Sequence, residues 1–276
     1  PNGFLIQGNS GTGFGAAIVS PGDVDRDGKN ELMIGAPLDG TGGRIYVVKG
    51  SYNFQALSAS DSTDFMLVIN GAPGENLGQV LGKGGSVDGD SSADLLIPSP
   101  YYVNIDENDQ ITSGAAYIIY GQISFATQTM STESLDPTST LTLFNKPQDD
   151  NNNFSFGSQL EAIGDFLGNG SNDIAFVGNI DSENPQVQIY ILPGNQPLTG
   201  VYTLDQIPIT PLTITLSLFS TSVMHQIDVL TGNDLTQDGL PDLICGFSGA
   251  TLSDEVSSSG VVAIVKNPQL QSGTLA

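Results

Sequence analysis

Basic residues are scarce: seven Lys and Arg stand against 30 Asp and Glu in 276 residues, a formal charge of −23. Such a surface repels phosphate backbones and anionic lipid, which excludes nucleic-acid binding and argues against membrane association. Histidine is represented only by His225, cysteine only by Cys245, and tryptophan not at all. A single cysteine cannot form an internal disulfide, so stability must come from packing and bound metal. Cys245 lies in the apolar run Leu243-Ile244-Cys245 and reads as a core residue. No His/Cys metal cluster, Gly-x-Ser-x-Gly elbow or phosphate-binding glycine loop occurs, and a histidine-assisted nucleophile would have to rely on His225 alone. These gaps point away from an enzyme. No run of about 18 apolar residues is present, so nothing is expected to span or insert into a membrane. The chain opens on Pro1 with no methionine and no visible signal peptide, so an upstream segment is expected to have been removed or omitted.

What is abundant is turn chemistry, with 34 glycines and 15 prolines. Self-comparison gives these residues a plan: four segments share one order of features. The first contains Phe4-Leu5-Ile6, Phe14-Gly15, a polar loop from Asp23, Leu32-Met33-Ile34-Gly35-Ala36-Pro37 and Ile45-Tyr46-Val47-Val48. The polar loop recurs from Ser86, Asp165 and Asp234, at separations of 63, 79 and 69 residues, and nine residues before each start stand Phe14, Leu77, Phe156 and His225. His225 therefore fills a packed apolar slot. The units are approximately 4–64, 65–139, 140–210 and 211–267, within one domain over 1–276.

Each apolar run is short, rich in Ile, Val, Leu, Phe and Tyr, and bounded by Gly, Pro, Asn or Asp. That is strand punctuation, and no helical period competes with it. Four strands per unit and four units predict an all-β protein, a β-propeller of four-stranded blades. The Ser/Thr/Gln/Pro-rich stretches 122–139 and 193–211 read as connections. If the first strand of each unit completes the preceding blade, Phe4–Gly8 would lie beside Val261–Val265 and close a ring, removing the open sheet edges.

The polar loops carry the chemistry. In the first, Asp23, Asp25, Asp27 and Glu31 offer carboxylates and Lys29 its backbone carbonyl, with Gly28 at the sharp turn. Calcium, a hard cation, takes six to eight such oxygens, and four carboxylates in nine residues would repel one another without it. The fourth loop offers Asp234, Thr236, Asp238, the carbonyl of Leu240, and Asp242. The second has Ser86, Asp88, Asp90, Ser92 and Asp94, and lacks both the first carboxylate and the turn glycine. The third has Asp165, Asn169, Ser171 and Asp173, with apolar Leu167 at its third position. Loop position twelve is Ile34 in the first loop and Cys245 in the fourth, where an EF-hand needs glutamate, so these are not EF-hands.

Phe14-Gly15, the Asp-x-Asp-x-Asp-Gly loop and Gly35-Ala36-Pro37 together resemble an FG-GAP repeat, the unit of the integrin α-subunit propeller. The likeness runs from Phe4 to about Val265; it is sharpest in the first unit, and His225-Gln226 replaces Phe-Gly in the fourth. The family usually forms seven blades, and four are legible here. The resemblance implies calcium in the loops joining the first two strands of a blade, with ligands on the opposite face. That face would comprise Leu38–Gly42, Tyr101–Ser113, Asn179–Gln186 and Ser248–Ser259, with Tyr101 and Tyr102 beside Asp106–Asp109 as the contact patch. The expected function is adhesion to a protein ligand at an extracellular or cell surface, microbial in character. A lectin-like reading is the alternative, disfavoured because tryptophan platforms are missing.

Overall fold

The computed structural model describes residues 3–51, 56–105, 111–122, 129–145, 156–181, 186–194, 196–208, 212–217, 227–230, 234–247 and 261–266. His225, 106–110 and 248–260 lie outside them. Among the described residues nineteen strands follow one another: β1 Ile6–Gln7, β2 Ile18–Val19, β3 Leu32–Ala36, β4 Arg44–Val48, β5 Leu57–Ser58, β6 Leu67–Asn70, β7 Gly82–Gly85, β8 Asp94–Ile105, β9 Ile111–Ile119 and β10 Thr129–Ser131. They continue as β11 Thr140–Phe144, β12 Leu160–Ala162, β13 Ile174–Asp181, β14 Gln186–Leu192, β15 Gly200–Thr203, β16 Leu212–Ser217, β17 Ile227–Leu230, β18 Leu243–Phe247 and β19 Val261–Val265. Short 3-10 turns at Ser62–Asp64 and Thr132–Ser134 are the helical elements among the described residues.

The strands form successive propeller-type blades. The sheets run β2-β3-β4-β6, β7-β8-β9-β11, β12-β13-β14-β16 and β17-β18-β19. The first strand of each later unit thus completes the blade before it, as the sequence pattern requires: β6 pairs antiparallel with β4, β11 with β9 and β16 with β14. An additional parallel strand extends two blades, β10 beside β6 and β15 beside β11. Both lie inside stretches read from sequence as plain connections. They are three or four residues long and pair through backbone, with Asn70 Nδ2 of β6 also donating to the Met130 carbonyl at 3.1 Å, which leaves no periodic side-chain signal. β1 pairs in parallel with β5, Ile6 opposite Leu57; among the described residues neither β1 nor β19 pairs with the other.

The apolar runs are continuous because a blade is buried on both faces. Ile45 and Val47 of β4 point into a core shared with Leu95, Ile97 and Tyr117 of the next blade, while Tyr46 and Val48 point into a second core with Phe65 and Val68. Leu96, Ala116 and Ile118 face Phe156, Leu160 and Phe176 of the third blade. Ala175, Val177 and Ile189 face Leu243 and Cys245 of the fourth. Cys245 is fully buried, and burial pushes its thiol up to about 12, as befits an inert core cysteine.

Two motif glycines exist because neighbouring blades touch through backbone. A Cβ on Gly35 would lie 1.9 Å from the Gly78 carbonyl oxygen, and a Cβ on Gly157 would lie 2.2 Å from that of Ala115. Any side chain there would wedge the blades apart.

A polar contact also joins the second and third blades. The Lys83 N–H of β7 donates to Glu161 Oε2 of β12 at 2.7 Å. Burial pushes the Glu161 carboxyl up to about 7, against the hydrogen bond and the Lys83 charge. The unfolded chain releases this proton near the ordinary value of 4.5, so the group's contribution is full below that pH and lost as pH rises through 7. Glu161→Gln is expected to raise the melting temperature at pH 8 and to leave it unchanged at pH 4, as paired thermal melts would show.

Candidate metal centre

Each polar loop links the innermost strand of a blade to the next: β2 to β3, β7 to β8, β12 to β13 and β17 to β18. Counting each loop from its first polar residue, the fourth position is left-handed in all four: Arg26 (φ 59°), Gly89 (79°), Gly168 (65°) and Gln237 (57°). The curl is held from within. Asp23 accepts the N–H groups of Asp27 and Gly28 at 3.1 and 2.8 Å, Asp165 those of Asn169 and Gly170 at 2.6 and 2.9 Å, and Asp234 those of Asp238 and Gly239 at 2.9 and 2.8 Å. Position five then accepts the N–H of position seven: Asp27 from Lys29, Asp90 from Ser92, Asn169 from Ser171 and Asp238 from Leu240. Four different sequences thus make one loop.

The ninth residue ties each loop together, and in the first three also anchors it to the far end of its blade. Glu31 accepts from the N–H of Val24 at 2.6 Å and of Gly50 at 3.1 Å, and Asp94 from Val87 at 2.7 Å and Gly121 at 2.8 Å. Asp173 accepts from Leu167 at 2.7 Å and Gly194 at 3.0 Å, and Asp242 from Leu235 and Thr236 at 2.9 Å. All four are buried. Burial raises the carboxyl pKa of Glu31 and of Asp173, and pushes Asp94 up to about 7. A carboxylate held so far from water gains from a neighbouring cation, and Glu31 and Asp94 keep on each oxygen a lone pair beyond the one its N–H partner occupies.

The first loop fits a metal ion best. One oxygen from each of Asp23, Asp25 and Asp27 lies within 4.8 Å of the other two. Oxygens on opposite sides of a calcium ion stand roughly 4.6–5.2 Å apart, so the three can share one ion. No other group of three carboxylate, imidazole or thiolate ligands converges this way among the described residues. Lys49 Nζ bridges Asp25 and Asp27, 3.2 Å from the latter, and Lys29 Nζ lies 3.1 Å from Asp27. Lys49 is half exposed on a long stem and can yield to a divalent ion. In the fourth loop Asp242 gathers Thr236 Oγ1 at 3.4 Å, and in the third Asn169 Nδ2 donates to Asp173 at 2.9 Å. That amide is engaged inside the loop, which leaves the Asn169-Gly-Ser sequon a poor glycan acceptor.

The structure also shows what the sequence reading missed. Arg26 reaches out of its own loop into the second one, pairing with Asp90 and donating from Nε to Ser92 Oγ at 2.5 Å. The opposite ends of the strands differ from expectation as well. Tyr101–Ile105 and Ile111–Ser113, read as loop, continue β8 and β9 as a hairpin, with Val103 opposite Ser113 and Ile105 opposite Ile111 beyond a register shift after Ser99. Tyr101, Val103 and Ile105 alternate along one exposed face, whereas Tyr102 packs on Phe144 with ring centroids 4.9 Å apart. The acidic residues 106–109 at the tip lie outside the described residues. Behind the hairpin, buried Glu75 accepts from Ser99 Oγ, Tyr117 OH, Thr132 Oγ1 and the Ala72 N–H at 2.6–2.8 Å.

With this geometry in place, residues 14–48, spanning the Phe-Gly pair, the first polar loop and strands β3 and β4, match the FG-GAP repeat. The chain thus carries an FG-GAP repeat and is similar to integrin α subunits over about a third of its length. A stretch of 93 residues, 33% of the chain, is 33% identical to integrin alpha-PS5 of Drosophila melanogaster and covers 9% of it. Another comparison gives 33% identity over 87 residues, 30% of the chain and 6% of integrin alpha-PS2 from the same organism. Integrin alpha-2 of Mus musculus is 31% identical over 100 residues, 34% of the chain and 8% of the relative. The matched stretches thus cover less than a tenth of each of these relatives. No helix among the described residues is long and apolar enough to cross a membrane.

Proposed function

We propose that this FG-GAP repeat protein is a non-catalytic, extracellular or cell-surface interaction module, stiffened by calcium in its polar loops and gripping a protein ligand at the opposite ends of its strands. The observation that carries the reading is the division of labour along β8. Its first residue, Asp94, anchors a polar loop, and its last residues, Tyr101, Val103 and Ile105, form an exposed apolar row on the order of 30 Å away. Contiguous exposed apolar side chains on a highly charged surface mark an interaction site. Such a row suits a protein partner. A sugar site would want aromatic platforms repeated in each blade, and the sequence holds eight tyrosines and no tryptophan.

The proposed calcium ligands are Asp23, Asp25, Asp27, the Lys29 carbonyl and Glu31 in the first loop. The third loop supplies Asp165, Asn169, Ser171 and Asp173, and the fourth Asp234, Thr236, Asp238, the Leu240 carbonyl and Asp242. Immobilised matrix-protein extracts and a glycan array separate the two ligand classes. Calcium-dependent capture from the extract, lost in Tyr101→Ala/Ile105→Ala with no change in melting temperature, supports the reading. Strong sugar hits with no protein capture would replace it by the lectin alternative.

We further infer that residues 1–276 form one ring. Both β6 and β11 have an antiparallel neighbour on one edge and a short parallel strand on the other. Among the described residues β1 has only the parallel one, β5, and the last blade has three strands where each of the others has at least four. Pairing β1 with β19 would supply both missing partners and cover Val262 and Ile264, now exposed on β19. A ring of this size is expected to give a radius of gyration of about 19 Å in solution scattering. A markedly larger value would mean an open arc.

A further inference from the structure

The second polar loop differs from its siblings in how it is closed. Ser86 stands where the others have a carboxylate that caps two N–H groups, and its hydroxyl donates instead to the Asp90 carbonyl. Position six is Ser91, not glycine. Asp88 accepts the Asp90 N–H at 2.9 Å, Asp94 is committed to Val87 and Gly121, and the remaining carboxylate, Asp90, meets Arg26 from the neighbouring blade.

Arg26 is placed there by the repeat itself. The first loop docks on the second: the Ala93 N–H donates to the Asp23 carbonyl at 2.8 Å, and Val24 is buried beside Ala93 and Leu95. The same offset recurs one blade on. A Cβ built on Gly89, position four of the second loop, would lie 3.8 Å from Ser171 Oγ, position seven of the third, just as Arg26 at position four meets Ser92 at position seven. Position four therefore looks into the next blade's loop. Gly89 and Gly168 send nothing there, whereas Arg26 sends a guanidinium despite its left-handed backbone. The planar fork of arginine can hold a carboxylate and a hydroxyl together, which a point-charge ammonium cannot do with the same geometry.

We propose that Arg26 takes the place of a metal ion in the second loop: a permanent organic cation, supplied by the first blade, closes the loop around Asp90 and Ser92 and leaves it without calcium. The proposal rests on reading the polar loops as cation sites, and it makes the first and second loops a linked pair, one filled by metal and the other by side chain.

Calcium content after equilibrium dialysis tests it on the full chain. Asp88→Asn in an otherwise unchanged protein is expected to leave the bound calcium unaltered, and Arg26→Met to raise it by about one equivalent, a gain abolished by adding Asp88→Asn. Loss of one equivalent in Asp88→Asn alone would show the second loop already filled by metal and overturn the proposal; that arm keeps Arg26 in place and does not depend on the arginine variant folding. Melting in EDTA provides a metal-free arm. Arg26→Met is expected to lower the midpoint by about 2 °C, and Asp90→Asn to add little to it. Additive effects would refute the pairing. If the unaltered protein binds no calcium at all, the calcium reading of the other loops fails, while the EDTA cycle still decides whether Arg26 closes the second loop.

Discussion

Replacing Phe176 by alanine is expected to cost about 3–5 kcal/mol, the usual range for an emptied aromatic core site, and to lower the melting temperature by about 10 °C. Phe176 is fully buried at the junction of the second and third blades. Its ring meets Phe156 edge-on at 5.9 Å and stacks on Tyr190 at 5.3 Å. The site cannot collapse around a smaller side chain, because the backbones on either side already touch: Gly157 faces the Ala115 carbonyl with no room for a methyl group. The cavity therefore persists and the full penalty is felt. Differential scanning calorimetry of the variant checks this. A shift below about 3 °C would mean that the blades slide to refill the gap, and that the inter-blade cores are softer than their packing implies.

Chelation should act on a comparable scale through a different mechanism. Metal held only by the folded state adds about 2.7 kcal/mol per site when calcium stands at a hundredfold its dissociation constant. With EDTA the midpoint should fall by several degrees or more, and added calcium should restore it. The combined variant Asp23→Asn/Asp25→Asn/Asp27→Asn should melt near the EDTA value of the parent and respond less to calcium. Most of its backbone hydrogen bonds survive: an asparagine oxygen at position 27 still accepts from Lys29, and one at position 23 still accepts from one of the Asp27 and Gly28 N–H groups that the two Asp23 oxygens hold between them. Apart from that one bond the variant loses charge, the property a bound cation would answer. Equal melts with and without EDTA would leave the loops as hydrogen-bonded turns only.

Most of the architecture was legible because the repeat wrote it four times. The Asp-x-Asp-x-Asp-Gly pattern fixes a curl whose backbone hydrogen bonds recur in loops that share few residues, so Asp165 and Asp234 could be placed from Asp23. The handover of each unit's first strand to the preceding blade followed from the phase of the apolar runs. Other features were silent for physical reasons. Strands β5, β10 and β15 pair through backbone and carry no alternation. The β8–β9 hairpin extends past Pro98-Ser99-Pro100, residues that ordinarily end a strand, because the chain absorbs them in a register shift.

Arg26 and Lys49 were the instructive omissions. In a chain with seven basic residues, three of them, Arg26, Lys29 and Lys49, touch carboxylates of the first two loops. A scarce charge placed beside an acidic cluster is a signal that could have been read. Arg26 was the more readable of the two, since it occupies a position that is glycine in two sister loops. Which loop it serves depends on how blades dock, and that only the three-dimensional arrangement reveals.

The polar loops as grips for a hard divalent ion can be checked by anomalous diffraction from a crystal grown in calcium. A strong peak enclosed by Asp23, Asp25 and Asp27, with Lys49 displaced, is the outcome this reading requires. A first loop with no peak, and the lysine still seated on Asp25 and Asp27, would contradict it.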